Sequence, residues 1–391
     1  MSLTVVMVIA LALCMGIRAA TGSVAGPWLA SGTTYLLLGI ILGPSGIGLV
    51  TQEHLSFAQP LISMALGLLG FVLGLTLRKR LGRAAVMAET VLGSGLIMAV
   101  VAAGCLALLK FLFAPGPSDI ALLATLAALA AVSGEPTIRA TQKRLNAHGA
   151  GAVELGQRAY ASTIAAVLLF GGALSYARGS HGLLTQTEWL VLAVVAGLAC
   201  GALFALFTRG TTDRDRTVVG IIGVVTLASG LASGMGISPL FVSVVVGAVV
   251  GATSLTTLPI SEPLARLREP TEIFILVPAG ATFIQPGLWV LLIPVVWLVC
   301  RLAAWRLAPT IGRAVVEGHR GGPSVGPALS TFGPIGAAIA LNHSQAFPQH
   351  SGIVIGATAL AMLVSDIFGS RMVRKTLADL GELDPSFSEA L

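Results

Sequence analysis

Apolar runs long enough to cross a membrane recur along the whole chain, separated by short polar loops. A spanning α-helix needs roughly 20 apolar residues to cross about 30 Å of hydrocarbon. Only 10% of the 391 residues are charged, against about 25% in soluble domains, so most of the surface must face lipid. We predict an all-α integral membrane protein with about thirteen transmembrane helices. The runs are 2–20, 27–49, 54–77, 84–112, 118–145, 153–177, 187–208, 215–234, 237–255, 271–285, 287–311, 324–346 and 349–373.

Basic residues divide the loops into two sets, which predicts the orientation. One set contains Arg78, Lys79, Arg80, Arg83, Arg139, Lys143, Arg144, Arg209, Arg214, Arg216, Arg266, Arg268, Arg313, Arg320, Arg371, Arg374 and Lys375. The other loops contain little beyond Lys110 and Arg178. Because positively charged loops stay in the cytoplasm, we expect a multi-pass protein of the cell (inner) membrane, with its N-terminus outside and its C-terminus inside. This asymmetry also accounts for the net charge of +6 without a nucleic-acid partner.

The chain is predicted to form one membrane domain, residues 1–375, followed by a short cytoplasmic tail, 376–391. The first run has no basic segment ahead of it, so we interpret it as a helix and not as a signal peptide.

Four cysteines lie in separate apolar runs without metal-ligand spacing, which predicts small core residues and no metal site. They are Cys14, Cys105, Cys200 and Cys300. No phosphate loop or nucleophile elbow is present, so an enzyme is not expected.

Two of the predicted helices are interrupted in the middle by glycine and proline. The fifth contains Ser133-Gly134-Glu135-Pro136-Thr137, and the twelfth contains residues 330–336, STFGPIG. Such breaks persist in hydrocarbon only where protein or a water-filled cavity surrounds them. The two lie seven spans apart, so the chain passes through them in opposite directions. Inverted repeats with two crossing discontinuous helices are therefore predicted, a pattern typical of transporter binding sites. Two simple proline kinks are the alternative.

Glu135, at the first break, is the strongest candidate for a functional residue. A carboxylate at mid-membrane costs at least ~2.5 kcal/mol, so it normally has a partner or a function. It could act as a titrating group for protons. It could also only neutralise the dipoles of the half-helices beside it.

Other polar side chains inside the predicted spans give weaker signals. Arg301 cannot lose its proton and must be paired, either with the carboxylate at the first break or with exposed carbonyls. Glu89 and Asp366 are possible secondary proton carriers, and are equally well interpreted as structural or interface groups. His343 and His350 are expected to be loop residues near the outer surface.

Several stretches resemble the monovalent cation/proton antiporter superfamily, which has a sodium/proton exchanger-like membrane domain. Residues 35–48 (YLLLGIILGPSGIG) resemble its second-helix signature, and residues 236–247 (GISPLFVSVVVG) its ninth helix. Residues 278–280 resemble the tenth helix, Arg301 the basic residue of the eleventh, and residues 333–338 the second discontinuous helix. The resemblance covers nearly the whole chain in the correct order. It implies an antiporter fold in the lipid bilayer, a homodimer, and no cofactor beyond the transported cation and proton.

The resemblance is incomplete at the site itself. The Ser-Gly-Glu-Pro of the first break is similar to the exchangers' Thr-Asp-Pro. In the next span their Gly-Glu-Ser-x-x-Asn-Asp is replaced by residues 156–162, GQRAYAS, so Ser162 stands where the ion-binding aspartate is expected. A hydroxyl stays neutral, so it cannot exchange a cation for a proton. Ser162 and Thr163, with Ser133 and Thr137 at the break, could still be oxygen ligands. The arginine usual in the twelfth span is replaced by Ile335.

These residues predict a secondary active transporter that exchanges sodium or potassium for protons by alternating access. Glu135 would be the titrating carboxylate and Arg301 the compensating charge, within a moving core of spans 84–177 and 287–375. One alternative is a transporter of this fold for another, organic or anionic, solute. The other is a membrane scaffold or sensor that no longer transports.

Overall fold

The computed structural model describes residues 32–80, 84–112, 118–177, 185–207, 214–253, 261–285, 287, 290, 292–317 and 325–383. Within these ranges every regular element is helical. The first predicted span, 2–20, and the end of the predicted tail lie outside the described residues.

The helices follow most of the predicted spans, but the span predicted at 271–285 begins earlier, at Ser261, and the span predicted at 287–311 extends further, to Glu317. They are α1 (Thr33–Leu42), α2 (Gln52–Leu75), α3 (Leu77–Arg80), α4 (Ala84–Leu112), α5 (Ser118–Ala131), α6 (Glu135–Arg144), α7 (Ala150–Ala177), α8 (Gln186–Phe207), α9 (Arg214–Gly234), α10 (Pro239–Ala252), α11 (Ser261–Ala281), α12 (Leu292–Glu317), α13 (Gly326–Leu329), α14 (Pro334–Ala346) and α15 (Ser351–Asp379). A 3₁₀ turn, Pro348–His350, joins the last two. Helix α1 ends earlier than predicted because the chain turns sharply after Gly43, with Gly46 N–H bonded to the Gly43 carbonyl at 3.0 Å.

The composition of the helices fits a membrane. Seven helical stretches of the described chain are long and apolar enough to cross a bilayer. They are Gln52–Leu75, Val86–Lys110, Ile120–Arg144, Ala150–Ala177, Gln186–Phe207, Thr217–Gly234 and Pro348–Asp379. Large apolar side chains such as Val91, Val191 and Val219 are exposed on their surfaces. Exposed apolar side chains of this kind are expected where helices face lipid.

Glycines allow pairs of helices to pack with their backbones in contact. A Cβ atom at Gly247 of α10 would collide with the Phe71 carbonyl of α2, and one at Gly280 of α11 would collide with the Leu36 carbonyl of α1. Small residues at helix contacts are the usual basis of close packing in membranes. This packing joins α2 to α10 and α1 to α11.

The same order of elements occurs twice. A continuous helix, a broken helix and another continuous helix appear first as α4, α5–α6 and α7, and again as α12, α13–α14 and α15. The first break spans residues 132–134 and the second spans 330–333, which confirms the two predicted interruptions.

Helix α15 continues across the predicted domain boundary at residue 375. Beyond it, the Glu382 carboxylate accepts a 2.7 Å hydrogen bond from Gly151 N–H in the first turn of α7.

Candidate functional site

The two helix breaks contact each other through their backbones. Gly134 N–H donates a 2.8 Å hydrogen bond to the Thr331 carbonyl. A Cβ atom at Gly134 would lie 2.7 Å from the Phe332 carbonyl oxygen and 2.9 Å from its nitrogen. Only a residue without a side chain fits there, which explains the glycine. The non-helical segments of both repeats therefore meet at one place.

Arg301 of α12 connects the two breaks from one side. Its side chain is buried, with 1% of the residue exposed. The guanidinium donates to the carbonyls of Ser330 at 2.6 Å, Val132 at 2.9 Å and Thr331 at 3.2 Å. These carbonyls belong to the C-terminal ends of half-helices, whose partial negative charge favours a cation. Of the two partners predicted for Arg301, the structure shows the carbonyls.

Glu135 occupies the first position of α6, directly after the first break. It is buried, with 7% of the residue exposed. Its carboxylate forms ion pairs with Arg80, on the short helix α3, and with Arg139, four residues later, at 2.6 Å. Arg80 and Arg139 appear in the sequence only as basic residues of predicted cytoplasmic loops. The spacing of Glu135 and Arg139 is a signal that could have identified the second pair.

Tyr160 of α7 holds Arg80 in position. The Arg80 guanidinium carbon lies 5.1 Å from the centre of the Tyr160 ring, within cation–π range. The Tyr160 hydroxyl in turn donates to the Leu73 carbonyl near the end of α2. Tyr160 is two residues before Ser162, but nothing in its sequence context marked it as part of the site.

A cavity of about 60 Å³ opens beside Glu135. This volume is enough for a few water molecules or a partly hydrated ion. Its wall combines α2, α11 and the start of α14 with the groups around Glu135. The lining residues are Leu68, Leu69, Val72, Leu73, Thr76, Arg80, Glu135, Tyr160, Thr271, Glu272, Pro334 and Ile335. Glu272 is half-buried and brings a second carboxylate to the cavity. No local pattern in the sequence marks this residue.

The four predicted oxygen ligands differ in their surroundings. Ser133 Oγ and Thr137 Oγ1 are buried and have no hydrogen-bond partner among the described residues. The Thr163 hydroxyl accepts from Ser133 N–H at 3.3 Å and donates to the Ala159 carbonyl at 2.8 Å. Ser162 donates only within its own helix, to the same carbonyl at 3.3 Å. Ser133 and Thr137 thus have buried oxygens that are unpaired within the described chain, but neither residue lines the cavity beside Glu135, whereas Thr163 fixes the backbone of the break.

Glu89 lies in a separate buried ion network. Its carboxylate accepts two hydrogen bonds from Arg158 of α7, at 2.6 and 2.8 Å. Arg158 also pairs with Glu154, one turn earlier on the same helix, at 2.6 Å. Neither Glu89 nor Asp366, which is partly buried on α15, is among the residues lining the cavity beside Glu135. The i, i+4 spacing of Glu154 and Arg158 marks this pair in the sequence.

The expectation that His343 is a loop residue is wrong, whereas His350 does lie in the 3₁₀ turn that joins α14 to α15. His343 lies within α14, is fully buried, and its Nδ1 is 2.8 Å from Thr125 Oγ1 of α5. His350 is also buried and stacks on His343, with 5.8 Å between ring centres. Helix α14 continues to Ala346 and packs against its neighbours, so both rings are covered.

No protein-family model matches the sequence, and no curated protein matches it. Solved structures do match. One is the structure at pH 8 of the sodium proton antiporter MjNhaP1 from Methanocaldococcus jannaschii, with a TM-score of 0.64 and 18% sequence identity. The match covers 96% of this chain and 100% of that one. An electron-microscopy map of the same antiporter matches with a TM-score of 0.68 at 18% identity, over 98% of this chain. The chain therefore has the fold of this sodium/proton antiporter over nearly its whole length.

Proposed function

We propose that this chain is a secondary active transporter that exchanges a monovalent cation, sodium or potassium, for protons, with Glu135 as the titrating carboxylate. The observation that carries the proposal is the position of Glu135. It is a buried carboxylate that follows the break of a discontinuous helix and faces a cavity, in a chain with the fold of a sodium/proton antiporter. Buried ionisable groups at mid-membrane usually serve transport.

Exchange follows from competition for this one carboxylate. In its charged form Glu135 can hold a cation, and protonation removes the charge that holds the cation. Arg80 and Arg139 pair with Glu135 in the present structure. A transported cation must displace at least one of these guanidiniums before it can contact the carboxylate. Ser133 and Thr137, whose buried hydroxyls have no partner among the described residues, would supply further oxygen ligands.

Alternating access would come from movement of α4–α7 and α12–α15 relative to the other helices. These two groups carry both breaks, Arg301 and Glu135. The cavity wall contributed by α2 and α11 belongs to the other helices, so the cavity lies at the boundary between the two parts. Movement at this boundary would shift Glu135 along the cavity wall that α2 and α11 form.

The test uses proteoliposomes that contain a pH-sensitive dye and carry an imposed pH gradient. Addition of sodium or potassium should dissipate the gradient in the wild type. Glu135→Gln should abolish the response, because the amide can neither release a proton nor hold a cation by charge. Glu53→Gln, at an exposed carboxylate in the first turn of α2, is the matched control and should behave as the wild type. A Glu135→Gln variant with full activity would refute the role of this carboxylate.

A proton-coupled anion transporter is the second candidate, and the double pairing of Glu135 favours it. Protonation of this carboxylate would release two guanidiniums, which could then hold an organic or inorganic anion. The same vesicles distinguish the two functions. If the chain cotransports an anion with protons, the pH gradient should dissipate when carboxylate or phosphate anions are added. Replacing one cation with another should then leave the rate of dissipation unchanged.

A further inference from the structure

A second, larger cavity lies between α12, α13 and the last turns of α15. Its volume is about 740 Å³, and it shares no lining residue with the cavity beside Glu135. Binding sites for small molecules typically measure about 300–1,000 Å³. Leu302, Ala303, Pro327 and Met372 contribute an apolar wall. We call this cavity the α12–α15 groove.

The groove opens on a surface suited to lipid. Ala303 and Arg306 lie on the same face of α12 as Val299 and Leu307, because residues four, seven and eight positions apart share a helix face. Val299 is 61% exposed and Leu307 is 63% exposed. Large apolar side chains in such positions are stable only against hydrocarbon or another apolar partner. An acyl chain that lies along Val299 and Leu307 could therefore enter the groove from an apolar surface.

One end of the groove is basic. Arg306 and Lys375 both line it and are exposed, and neither forms an ion pair with a described residue. Asp379 is the single carboxylate in the lining, so the groove carries one excess positive charge. A phosphodiester carries one negative charge. These residues also lie on the side that the basic loops predict to be cytoplasmic, where anionic lipids are recognised by basic pockets between helices.

We propose that the α12–α15 groove is a binding site for an anionic glycerophospholipid. One acyl chain packs against Leu302, Pro327 and Met372, and the phosphate lies between Arg306 and Lys375. A free phosphate would use only the basic end and would leave the apolar wall exposed. A zwitterionic lipid would use the wall but would bring an extra positive charge to the two cations. An anionic lipid satisfies both halves of the groove.

The experiment measures thermal unfolding of the delipidated full chain in detergent, with phosphatidylglycerol or phosphatidylcholine of identical acyl chains added. The wild type should gain more in apparent Tm from phosphatidylglycerol than from phosphatidylcholine. The double variant Arg306→Gln, Lys375→Gln should lose this difference. Ala303→Trp, which fills the groove, should lose the phosphatidylglycerol effect as well. Arg371→Gln, at an exposed arginine of α15 outside the lining, is the matched control and should keep it.

Native mass spectrometry provides a second readout that does not depend on stability. The wild type and Arg371→Gln should retain a phosphatidylglycerol molecule that the double variant releases. Equal stabilisation of the wild type by both lipids would overturn the proposal, as would full retention by the double variant. Inorganic phosphate alone should give no increase in Tm, and an increase equal to that from the lipid would identify an anion site instead. None of these results depends on whether the chain transports ions.

Discussion

The guanidinium of Arg301 donates a 2.9 Å hydrogen bond to the carbonyl of Val132, the first residue after the first half of the first broken helix. The same guanidinium bonds Ser330 and Thr331 in the second break. Backbone groups at a break have no lipid partner, so they must be satisfied by protein or water. One buried side chain therefore provides hydrogen bonds to both interrupted helices at the point where they meet.

Replacement of this arginine should destabilise the fold. Arg301→Met keeps an unbranched, mostly apolar side chain but leaves the buried carbonyls of Ser330 and Val132 without their donor, at roughly 1–3 kcal/mol for each unsatisfied group. The Thr331 carbonyl keeps its hydrogen bond from Gly134 N–H. We expect a clear fall in apparent Tm, measured by thermal unfolding in detergent, and an intermediate value for Arg301→Lys, because an ammonium group lacks the planar fork. Arg371→Met, at an exposed position on α15, should change little. A Met variant as stable as the wild type would show that water or a rearranged backbone satisfies these carbonyls.

Glu89 and Arg158 should behave as a structural pair. Glu89→Leu leaves the Arg158 charge buried with only the half-exposed Glu154 as its partner, and loss of one member of a buried pair costs roughly 3–5 kcal/mol. The double variant Glu89→Leu, Arg158→Leu removes both charges and should recover most of this loss. A double-mutant cycle on apparent Tm measures the coupling. If the double variant is stable but has lost proton exchange, Glu89 is a proton carrier and not only a partner of Arg158.

The positions of the helices were largely predictable from the sequence. Each span depends on a local run of apolar residues, and each break depends on glycine and proline within a few positions. The break at residues 132–134 and the burial of Arg301 were predicted for this reason. Hydropathy indicates whether a residue lies within the membrane, and hydropathy can be calculated from the local sequence alone.

The partners of Glu135 were less predictable because they depend on packing. Arg80 lies 55 residues earlier in the chain and reaches Glu135 because α2 ends at Leu75 and the short helix α3 follows. The distribution of loop charge predicts only the side of the membrane on which Arg80 lies, and it gives no information about the neighbours of Arg80. Glu272 comes to the same cavity from α11. Neither contact has a local pattern in the sequence.

Thr163 and Ser162 should give opposite results although they are adjacent. Thr163→Val removes the acceptor for Ser133 N–H in the first break, at a cost of about 1–3 kcal/mol for an unsatisfied buried group. Ser162→Ala removes only a weak bond within α7 and should be nearly neutral. Thermal unfolding and cation-dependent dissipation of a pH gradient should both separate the two variants. If Ser162→Ala weakens the apparent cation affinity, its hydroxyl is an ion ligand in a state in which α7 has moved.

Gly134→Ala tests whether contact between the two breaks is necessary. The added methyl group would lie 2.7 Å from the Phe332 carbonyl oxygen, against backbone that cannot move without displacing Arg301's partners in the second break. We expect a loss of both stability and transport. Gly156→Ala is the matched control, because it lies within α7 and an added Cβ meets nothing within 4 Å. It should raise stability by roughly 0.5–1 kcal/mol through helix propensity. If Gly134→Ala and Gly156→Ala unfold at the same temperature, the close approach of the breaks is not required for the fold.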